Sequence, residues 1–274
     1  MGGNSSHHAD GGKRRAEPAS EFNKAIPDQF ETYEQLQEAL RRQGLESSNL
    51  IIGIDYTKSN TWTGKNSFEG RCLHDIDPSG FLMNPYQRVI SIVGRTLQVF
   101  DDDNLIPAFG FGDATTGDKG VFPLMADGSP CRGFDEVLQR YGEITPKIAL
   151  AGPTNFAPVI YEAIRQVKAT RSYHILVIIA DGQVTNEKDT AAAIVEASKY
   201  ALSIIVVGVG DGPWELMEHY DDSLPKRKFD NFQFVDFNRV MNLNRIKPDV
   251  GFATAALMEI PEQFRIIRRL GYLS

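Results

Sequence analysis

The sequence predicts an α/β protein with a doubly wound, mostly parallel central sheet and helices on both faces. Two observations support this prediction. Short apolar runs alternate along the chain with segments of helical periodicity, which is the order that βαβ units require. Three of those runs are almost continuously apolar, as strands buried on both faces of a parallel sheet are. They span residues 49–55, 173–180 and 202–209.

The other predicted elements follow from capping residues and periodicity. Residues 32–44 predict a helix, because Thr32 can cap it, apolar residues recur at helical spacing and Gly44 can end it. A longer helix is predicted at 84–100, where apolar side chains share one face. The remaining predictions are strands at 105–111 and 232–235, helices at 133–141, 156–168, 190–200 and 213–219, and a helical segment at 250–270 that breaks at Pro261.

Length and composition fit one globular domain with modest extensions. The chain has 274 residues, of which 42% are hydrophobic and 24% are charged. Its formal net charge of -7 argues against nucleic acid as a partner, because phosphate binding needs a concentrated basic face. With two cysteines, Cys72 and Cys131, neither a disulfide framework nor a structural zinc module is expected. We expect the domain to occupy residues 26–274.

Residues 1–25 are poor in large apolar side chains and are predicted to be disordered. The first six residues fit the N-myristoylation pattern, with Gly2 as acceptor and Ser6 at the hydroxyl position. A basic run at 13–15 would support membrane contact, although a solvated tail with a chance match explains the same residues. We find no secretory signal and no apolar run long enough to span a bilayer. A cytoplasmic protein is therefore expected, with membrane association through Gly2 and a nuclear location as alternatives.

Three polar segments are predicted to meet at one edge of the sheet. In a doubly wound sheet, ligands bind at the carboxyl ends of the strands. Asp55, Thr57 and Ser59 leave the first long strand, and alternation along an extended turn points all three to one side. Thr154 lies in a loop before a predicted helix, and Asp181 directly follows the second long strand.

These five side chains offer two carboxylates and three hydroxyls, a set of oxygen ligands that suits a hard cation. Mg2+ is the first expectation, with Mn2+ or Ca2+ as alternatives. One coordination position would stay free for an external carboxylate. Each segment alone also fits ordinary turn or helix-cap chemistry. Their occurrence together, in order and at predicted strand ends or helix starts, favours a metal site.

The same order, Asp-x-Thr-x-Ser followed by a loop Thr and then Asp-Gly, resembles the metal-ion-dependent adhesion site of von Willebrand A domains. More specific motifs resemble copines and, most closely, the plant RING-type ubiquitin ligases that carry a copine-like domain. The resemblance covers roughly residues 30–270. Its motifs are IDYTKSN at 54–60, NPYQ at 84–87, IPAFGFGD at 106–113, LAGPT at 150–154, IADGQVT at 179–185, VGVGDG at 207–212, NFQFV at 231–235 and EIPEQ at 259–263.

The resemblance implies metal-dependent binding of a protein that presents an Asp or Glu. It carries over Asp55, Thr57, Ser59, Thr154 and Asp181 as the metal set. Copines normally place two C2 domains before this module, and the ligases end in a zinc-binding RING; this sequence is expected to form neither. If ubiquitination belongs to the lineage, the chain would supply the substrate- or partner-binding half.

Residues beside the five predicted ligands are candidates for partner contact. Trp62 lies in the loop that follows the first motif, where an exposed Trp would be a partner anchor; a packed loop aromatic is the alternative. Asp211 belongs to a glycine-rich turn, 208–212, that could face the same edge. The long loops at 61–80 and 113–132 are expected to set specificity.

Two other functions remain open. The same ion could serve phosphoryl or hydrolytic chemistry, but no general base or nucleophile with a supporting partner is apparent, and His174 is expected to be structural. His74 is the second histidine that invites a catalytic role. Alternatively, the chain could be a scaffold for ubiquitin-pathway proteins, tethered through Gly2. The acidic run at 101–103 is expected to be a solvated helix end.

Overall fold

The computed structural model of the protein describes residues 30–224 and 226–273, apart from the side chains of residues 222 and 223. The predicted tail at 1–25 and the candidate acceptor Gly2 therefore lie outside the described residues. Within the described ranges, no helix has both the length and the apolar character needed to cross a bilayer.

Helices and strands alternate through most of the described chain. The first half contains α1 (Tyr33–Arg42), β1 (Asn49–Asp55), α2 (Pro85–Leu97), β2 (Leu105–Ile106), β3 (Ala108–Phe111), β4 (Phe122–Pro123), β5 (Cys131–Arg132) and α3 (Gly133–Ile144). The second half contains α4 (Ala157–Thr170), β6 (His174–Ala180), α5 (Glu187–Ala197), β7 (Leu202–Gly208), α6 (Glu215–Ser223), β8 (Phe232–Asp236), α7 (Phe237–Leu243), α8 (Pro248–Leu257) and α9 (Ile260–Arg269).

The central sheet confirms the predicted fold class. Its strand order is β4-β3-β1-β6-β7-β8, and every pairing is parallel except that of β3 with the short edge strand β4. Strands β6 and β7 are buried along their whole length, and β1 is buried from its second residue. This agrees with a sheet covered on both faces. After β1 the chain adds β3 on one side and β6 on the other, so the strand order reverses beside β1.

The register of β1 and β6 positions the candidate site. Ile54 pairs with Ile179. Asp55 is the next residue of β1, and Asp181 comes two residues after Ile179, just past the end of β6. Both aspartates therefore emerge at neighbouring positions on the carboxyl edge, at the switch point where doubly wound sheets bind ligands.

Several predicted elements differ from the structure for local reasons. The strand expected at 105–111 divides at Pro107, which lacks an N–H for the ladder: β2 pairs antiparallel with β5, and β3 joins the central sheet. Helix α5 begins earlier than predicted, because the Asn186 side chain accepts a bond from the Asp189 N–H and caps it. The break expected at Pro261 falls just before it, between α8 and α9, since a proline in the first turn of a helix needs no N–H partner.

The predicted cap of the first helix is confirmed, and the second helix has a cap that was not predicted. The Thr32 side chain accepts a bond from the Gln35 N–H at the start of α1. At α2, Asn84 and Gln87 form a reciprocal capping box. Three short elements, β4, β5 and α7, were not predicted because two to seven residues carry too little periodicity to separate from a loop.

Candidate metal site

The first motif folds into a tight turn at the end of β1. The Asp55 side chain is fully buried, and its Oδ1 accepts a 2.8 Å hydrogen bond from the Thr57 N–H. Asn60 Nδ2 donates to the carbonyls of Thr57 at 3.0 Å and Asp55 at 3.3 Å. A short 3-10 helix, Lys58–Thr61, continues from this turn. The Asp and Asn side chains thus replace the hydrogen bonds that the strand loses where it ends.

The Asp181 carboxylate joins this turn from the adjacent strand. Its Oδ1 accepts from Ser59 Oγ at 3.0 Å and lies 3.5 Å from Thr57 Oγ1, and the two hydroxyls are 2.9 Å apart. Its Oδ2 lies 2.6 Å from Thr63 Oγ1. The structure therefore brings together four of the five predicted residues and adds the Thr63 hydroxyl, which sequence reasoning missed.

The Thr154 loop is tied by its backbone to both aspartate-bearing segments. Thr57 and Ala151 form an isolated parallel bridge, with bonds from Lys58 N–H to the Ala151 carbonyl and, at 3.3 Å, from Ala151 N–H to the Tyr56 carbonyl. The Thr154 carbonyl accepts from the Thr185 N–H at 2.9 Å, four residues after Asp181. Thr154 is buried, at 6% exposure. The loop thus lies at the same edge as the other four predicted residues.

The two aspartates form a buried acidic pair. Burial, followed by the charge of Asp181, raises the pKa of Asp55 well above its usual value. Burial also raises the pKa of Asp181. Asp55 Oδ2 is buried and has no hydrogen-bond partner among the described residues. An unpaired buried carboxylate oxygen beside a second carboxylate is unfavourable on its own.

A hard divalent cation fits this donor set. Carboxylate and hydroxyl oxygens are the ligands that Mg2+, Mn2+ and Ca2+ prefer, and a cation would satisfy the unpaired Asp55 Oδ2. In residues 30–224 and 226–273 there is no group of three or more His, Cys, Asp or Glu side chains arranged to hold a metal. The side chains that contact the Asp181 carboxylate are the hydroxyls of Thr57, Ser59 and Thr63, whereas zinc and copper sites favour imidazole and thiolate ligands.

The His74 ring bonds to the backbone of Asp55. The ring lies between those of Tyr56 and Tyr86, with centroids 4.6 and 4.2 Å away. Its Nε2 is 2.8 Å from the Asp55 carbonyl oxygen, and its Nδ1 is 2.8 Å from the Tyr141 hydroxyl. A carbonyl only accepts, so Nε2 carries the proton and Nδ1 accepts from Tyr141. Burial lowers the pKa of His74 to about 3, so the ring is neutral at physiological pH.

The same hydrogen-bond chain continues into the helices. Asn84 Nδ2 donates to the Tyr141 hydroxyl at 2.9 Å, which links the cap of α2 and the body of α3 to His74. Tyr86 on α2 also places its hydroxyl 3.2 Å from the Asp55 carbonyl. Because both His74 nitrogens bond to protein groups, this histidine has a structural role.

Trp62 and Asp211 occupy different environments near the site. Trp62 is 58% exposed, and its backbone N–H donates to the Ser59 carbonyl. The Asp211 carboxylate accepts from the N–H groups of Asn66 and Ser67, both at 2.8 Å, and so fastens the loop after Thr63. Of these two candidates for partner contact, Trp62 presents its side chain to solvent, whereas Asp211 holds a loop.

Two glycines are needed for the close packing of the site, a requirement not foreseen from the sequence. Gly112 has a φ of +79°, and a Cβ there would lie 2.5 Å from Thr57 Cγ2. A Cβ on Gly210 would lie 2.5 Å from the Asp181 carbonyl oxygen. Both therefore allow neighbouring backbone to approach the two acidic segments.

Comparison with known proteins identifies the family. The copine family model matches residues 72–274. The E3 ubiquitin-protein ligase RGLG4 of Arabidopsis thaliana is 53% identical over 255 residues, which cover 88% of this chain and 63% of that protein. Copine family protein 1 of Caenorhabditis elegans is 55% identical over 240 residues, which cover 87% of this chain and 22% of that protein. The chain thus spans less than two thirds of either relative.

A solved structure gives a more distant match. The manganese-loaded TRAP protein of Plasmodium vivax superposes with a TM-score of 0.47 at 13% identity, over 75% of this chain and 74% of that one. A likeness this distant carries no argument about the ion. The family model and the sequence identities show the assignment: the chain belongs to the copine family.

Proposed function

We propose that this domain is a divalent-metal-dependent protein-binding module in which a carboxylate of the partner completes the coordination of the ion. The observation that carries the proposal is the buried pair of Asp55 and Asp181, with one oxygen of Asp55 unpaired. A cation neutralises that pair and satisfies the free oxygen. The pair lies at the carboxyl edge of the sheet, where an ion can also reach a ligand from outside.

The metal set proposed is the one that the sequence predicted. Asp55, Thr57, Ser59, Thr154 and Asp181 would hold the ion, directly or through its bound waters, because a small cation such as Mg2+ gives up its waters reluctantly. The bound cation supplies a fixed positive charge that attracts a carboxylate in a partly dry site. The residues of the chain fix the position of that charge.

A role in ubiquitination is the second candidate. It is favoured by similarity to five Arabidopsis thaliana proteins named E3 ubiquitin-protein ligases, which are 51–53% identical to this chain. The chain would act as the substrate- or partner-binding component and not as the catalyst. Recovery of a RING protein or a ubiquitin-conjugating enzyme in a pull-down would support this role. Hydrolysis at the same ion is less favoured, because His74 beside Asp55 is buried and fully hydrogen-bonded.

Affinity capture with and without Mg2+ tests the primary function. The wild-type domain is expected to retain partners in Mg2+ and release them in EDTA, whereas Asp181→Ala should retain none of them in either buffer. The matched control is Asp135→Ala, which removes an exposed carboxylate from the first turn of α3. Capture that is unchanged by EDTA and by Asp181→Ala would rule out the proposed function.

Attachment to a membrane through Gly2 remains a separate proposal. Its support is the N-terminal sequence pattern alone. Intact-mass measurement of the protein from its native cells should show the added myristoyl group, and an unmodified Gly2 would eliminate the tether.

A further inference from the structure

The chain after Ser59 forms a helical turn with one face towards the acidic pair and the other towards solvent. The Trp62 and Thr63 N–H groups donate to the Ser59 carbonyl at 2.9 and 3.0 Å, and the Lys65 N–H donates to the Trp62 carbonyl at 3.2 Å. Ser59 and Thr63 are four residues apart, and both contact the Asp181 carboxylate. We call residues 58–65 the Trp62 turn.

The outer face of the Trp62 turn carries Lys58, Trp62 and Lys65. These residues are separated by four and three positions, which places them on one side of a helical turn. All three are exposed, Trp62 by 58%. An indole exposed to this extent beside a candidate binding site is the kind of side chain that anchors protein partners.

The charge on this face is opposite to that of the protein. The chain has a net charge of -7, yet two lysines flank the indole. Of the described ion pairs, none involves Lys58 or Lys65. Two acids have other partners: Glu69, four positions after Lys65, lies 3.5 Å from Arg71, and the Asp211 carboxylate accepts two backbone N–H bonds. The Trp62 turn therefore offers two cations to an acidic partner.

The turn is held firmly in place. Besides the Asp211 carboxylate, the Asp211 N–H donates to the Thr63 carbonyl at 2.7 Å, and the Leu73 N–H donates to the Asn60 carbonyl at 3.0 Å. A surface fixed before binding loses little conformational freedom when a partner arrives.

We propose that the Trp62 turn, next to the metal site, binds a short acidic segment of a partner protein. One carboxylate of that segment reaches the ion, a second pairs with Lys58 or Lys65, and a large apolar side chain packs on Trp62. This inference rests on the proposed metal-dependent function. Lys58 and Lys65 are seven positions apart, which span about 10 Å at the rise of an α-helix and about 14 Å at that of a 3-10 helix. About three or four residues of an extended strand can cover this distance. The three recognised side chains therefore fit within a short linear motif.

Selection from a randomised peptide display library on the Mg2+-loaded domain tests the motif, with elution by EDTA. The eluted wild-type sequences should combine two acidic residues and a large apolar residue within a few positions. A Lys58→Glu/Lys65→Glu domain should still yield EDTA-eluted peptides, but without the preference for the second acid. Trp62→Ala should lose the apolar preference. Unchanged preferences in these variants, or wild-type peptides that share only one acid, would overturn the proposal.

Affinities of a recovered peptide give a second measurement. Trp62→Ala should weaken binding by about ten-fold or more, as expected for an aromatic anchor. The double lysine variant should weaken it by about ten-fold at low salt and by less at high salt, because salt screens exposed charges. Lys226→Glu is the matched control, since this exposed lysine lies before β8, at the amino edge of the sheet; its effect should stay below about two-fold.

Failure of the underlying function gives a different result. If the metal site does not bind partners, no peptide will elute from the wild-type domain with EDTA, or Asp181→Ala will yield the same peptides as wild type. Either result removes both the function and the motif. If peptides elute with EDTA but their sequences do not depend on Lys58, Trp62 or Lys65, the proposed motif is wrong and the proposed function stands.

Discussion

Replacing Asp55 by Asn should have opposite effects on the metal-free and metal-bound domain. The Asn Oδ1 can still accept from the Thr57 N–H, as Asp55 Oδ1 does at 2.8 Å. Its Nδ2 takes the place of the unpaired Oδ2 and can donate to the Asp181 carboxylate. One buried charge disappears and one unsatisfied oxygen becomes a donor, whereas the ion loses a carboxylate ligand.

The magnitudes follow from those contacts. A buried unsatisfied polar atom costs about 1–3 kcal/mol, so the free energy of unfolding of metal-free Asp55→Asn should exceed that of wild type by about this amount. For a domain of this size, each kcal/mol corresponds to a shift in Tm of about 2–4 °C. Wild type should gain about 2.7 kcal/mol when Mg2+ is at a hundred times its Kd. The variant should gain almost nothing.

Thermal unfolding in EDTA and in Mg2+ measures both effects. The pH dependence provides an independent check on the metal-free protein. Because the pKa values of Asp55 and Asp181 are raised in the folded state, their contribution to stability is greatest in acid and is lost as pH rises through the folded pKa values. Wild type should therefore lose more stability than Asp55→Asn between acidic and neutral pH. A variant that is destabilised in EDTA yet retains the full Mg2+ shift would refute this account.

Three further predictions concern the surroundings of the site. Tyr141→Phe leaves His74 Nδ1 without its donor, so the free energy of unfolding should fall by about 1–3 kcal/mol, measured by denaturant titration. Burial, then the charges of Asp103 and Asp102, raises the pKa of Asp101 to about 7. Asp101→Asn should therefore stabilise the protein at pH 8 and not below about pH 4, since the folded-state carboxyl loses stability as pH rises through about 7. Gly112→Ala adds a Cβ 2.5 Å from Thr57 Cγ2 at a φ of +79°, which should lower both Tm and the Mg2+-induced shift.

Each of these predictions has a contradicting result. An unchanged unfolding midpoint in Tyr141→Phe would mean that the bond to His74 contributes nothing. Equal stabilisation by Asp101→Asn at pH 4 and pH 8 would point to packing and not to charge. A Gly112→Ala variant with wild-type Tm and metal response would show that the loop can move aside.

The fold could be predicted because its strands are buried on both faces. A short and almost continuously apolar run such as 49–55 predicts a buried strand, and an Asp at its end marks the carboxyl edge of the sheet. The meeting of Asp55 and Asp181 follows from the pairing of Ile54 with Ile179. That these residues bind a metal stays a prediction.

What the sequence could not predict depends on distant contacts. Thr63 reaches Asp181 because the 3-10 helix Lys58–Thr61 continues into a hydrogen-bonded turn, and Asp211, nearly 150 positions later, holds that turn in place. His74 lies in a loop without periodicity, so its stacking between two tyrosines left no local pattern. The expectation that residues 101–103 form a solvated helix end was wrong for Asp101, whose carboxylate oxygens are buried and lack partners among the described residues.

The two sides of the first motif are stabilised by separate parts of the molecule. The Asp55 carbonyl is bonded to His74, which stacks between Tyr56 and Tyr86, whereas Lys58, Trp62 and Lys65 are exposed. Evolution can therefore exchange the three outer side chains at little cost to folding while the cradle beneath them stays intact. Domains that share the same ion-binding residues can in this way diverge in the partner proteins that they bind.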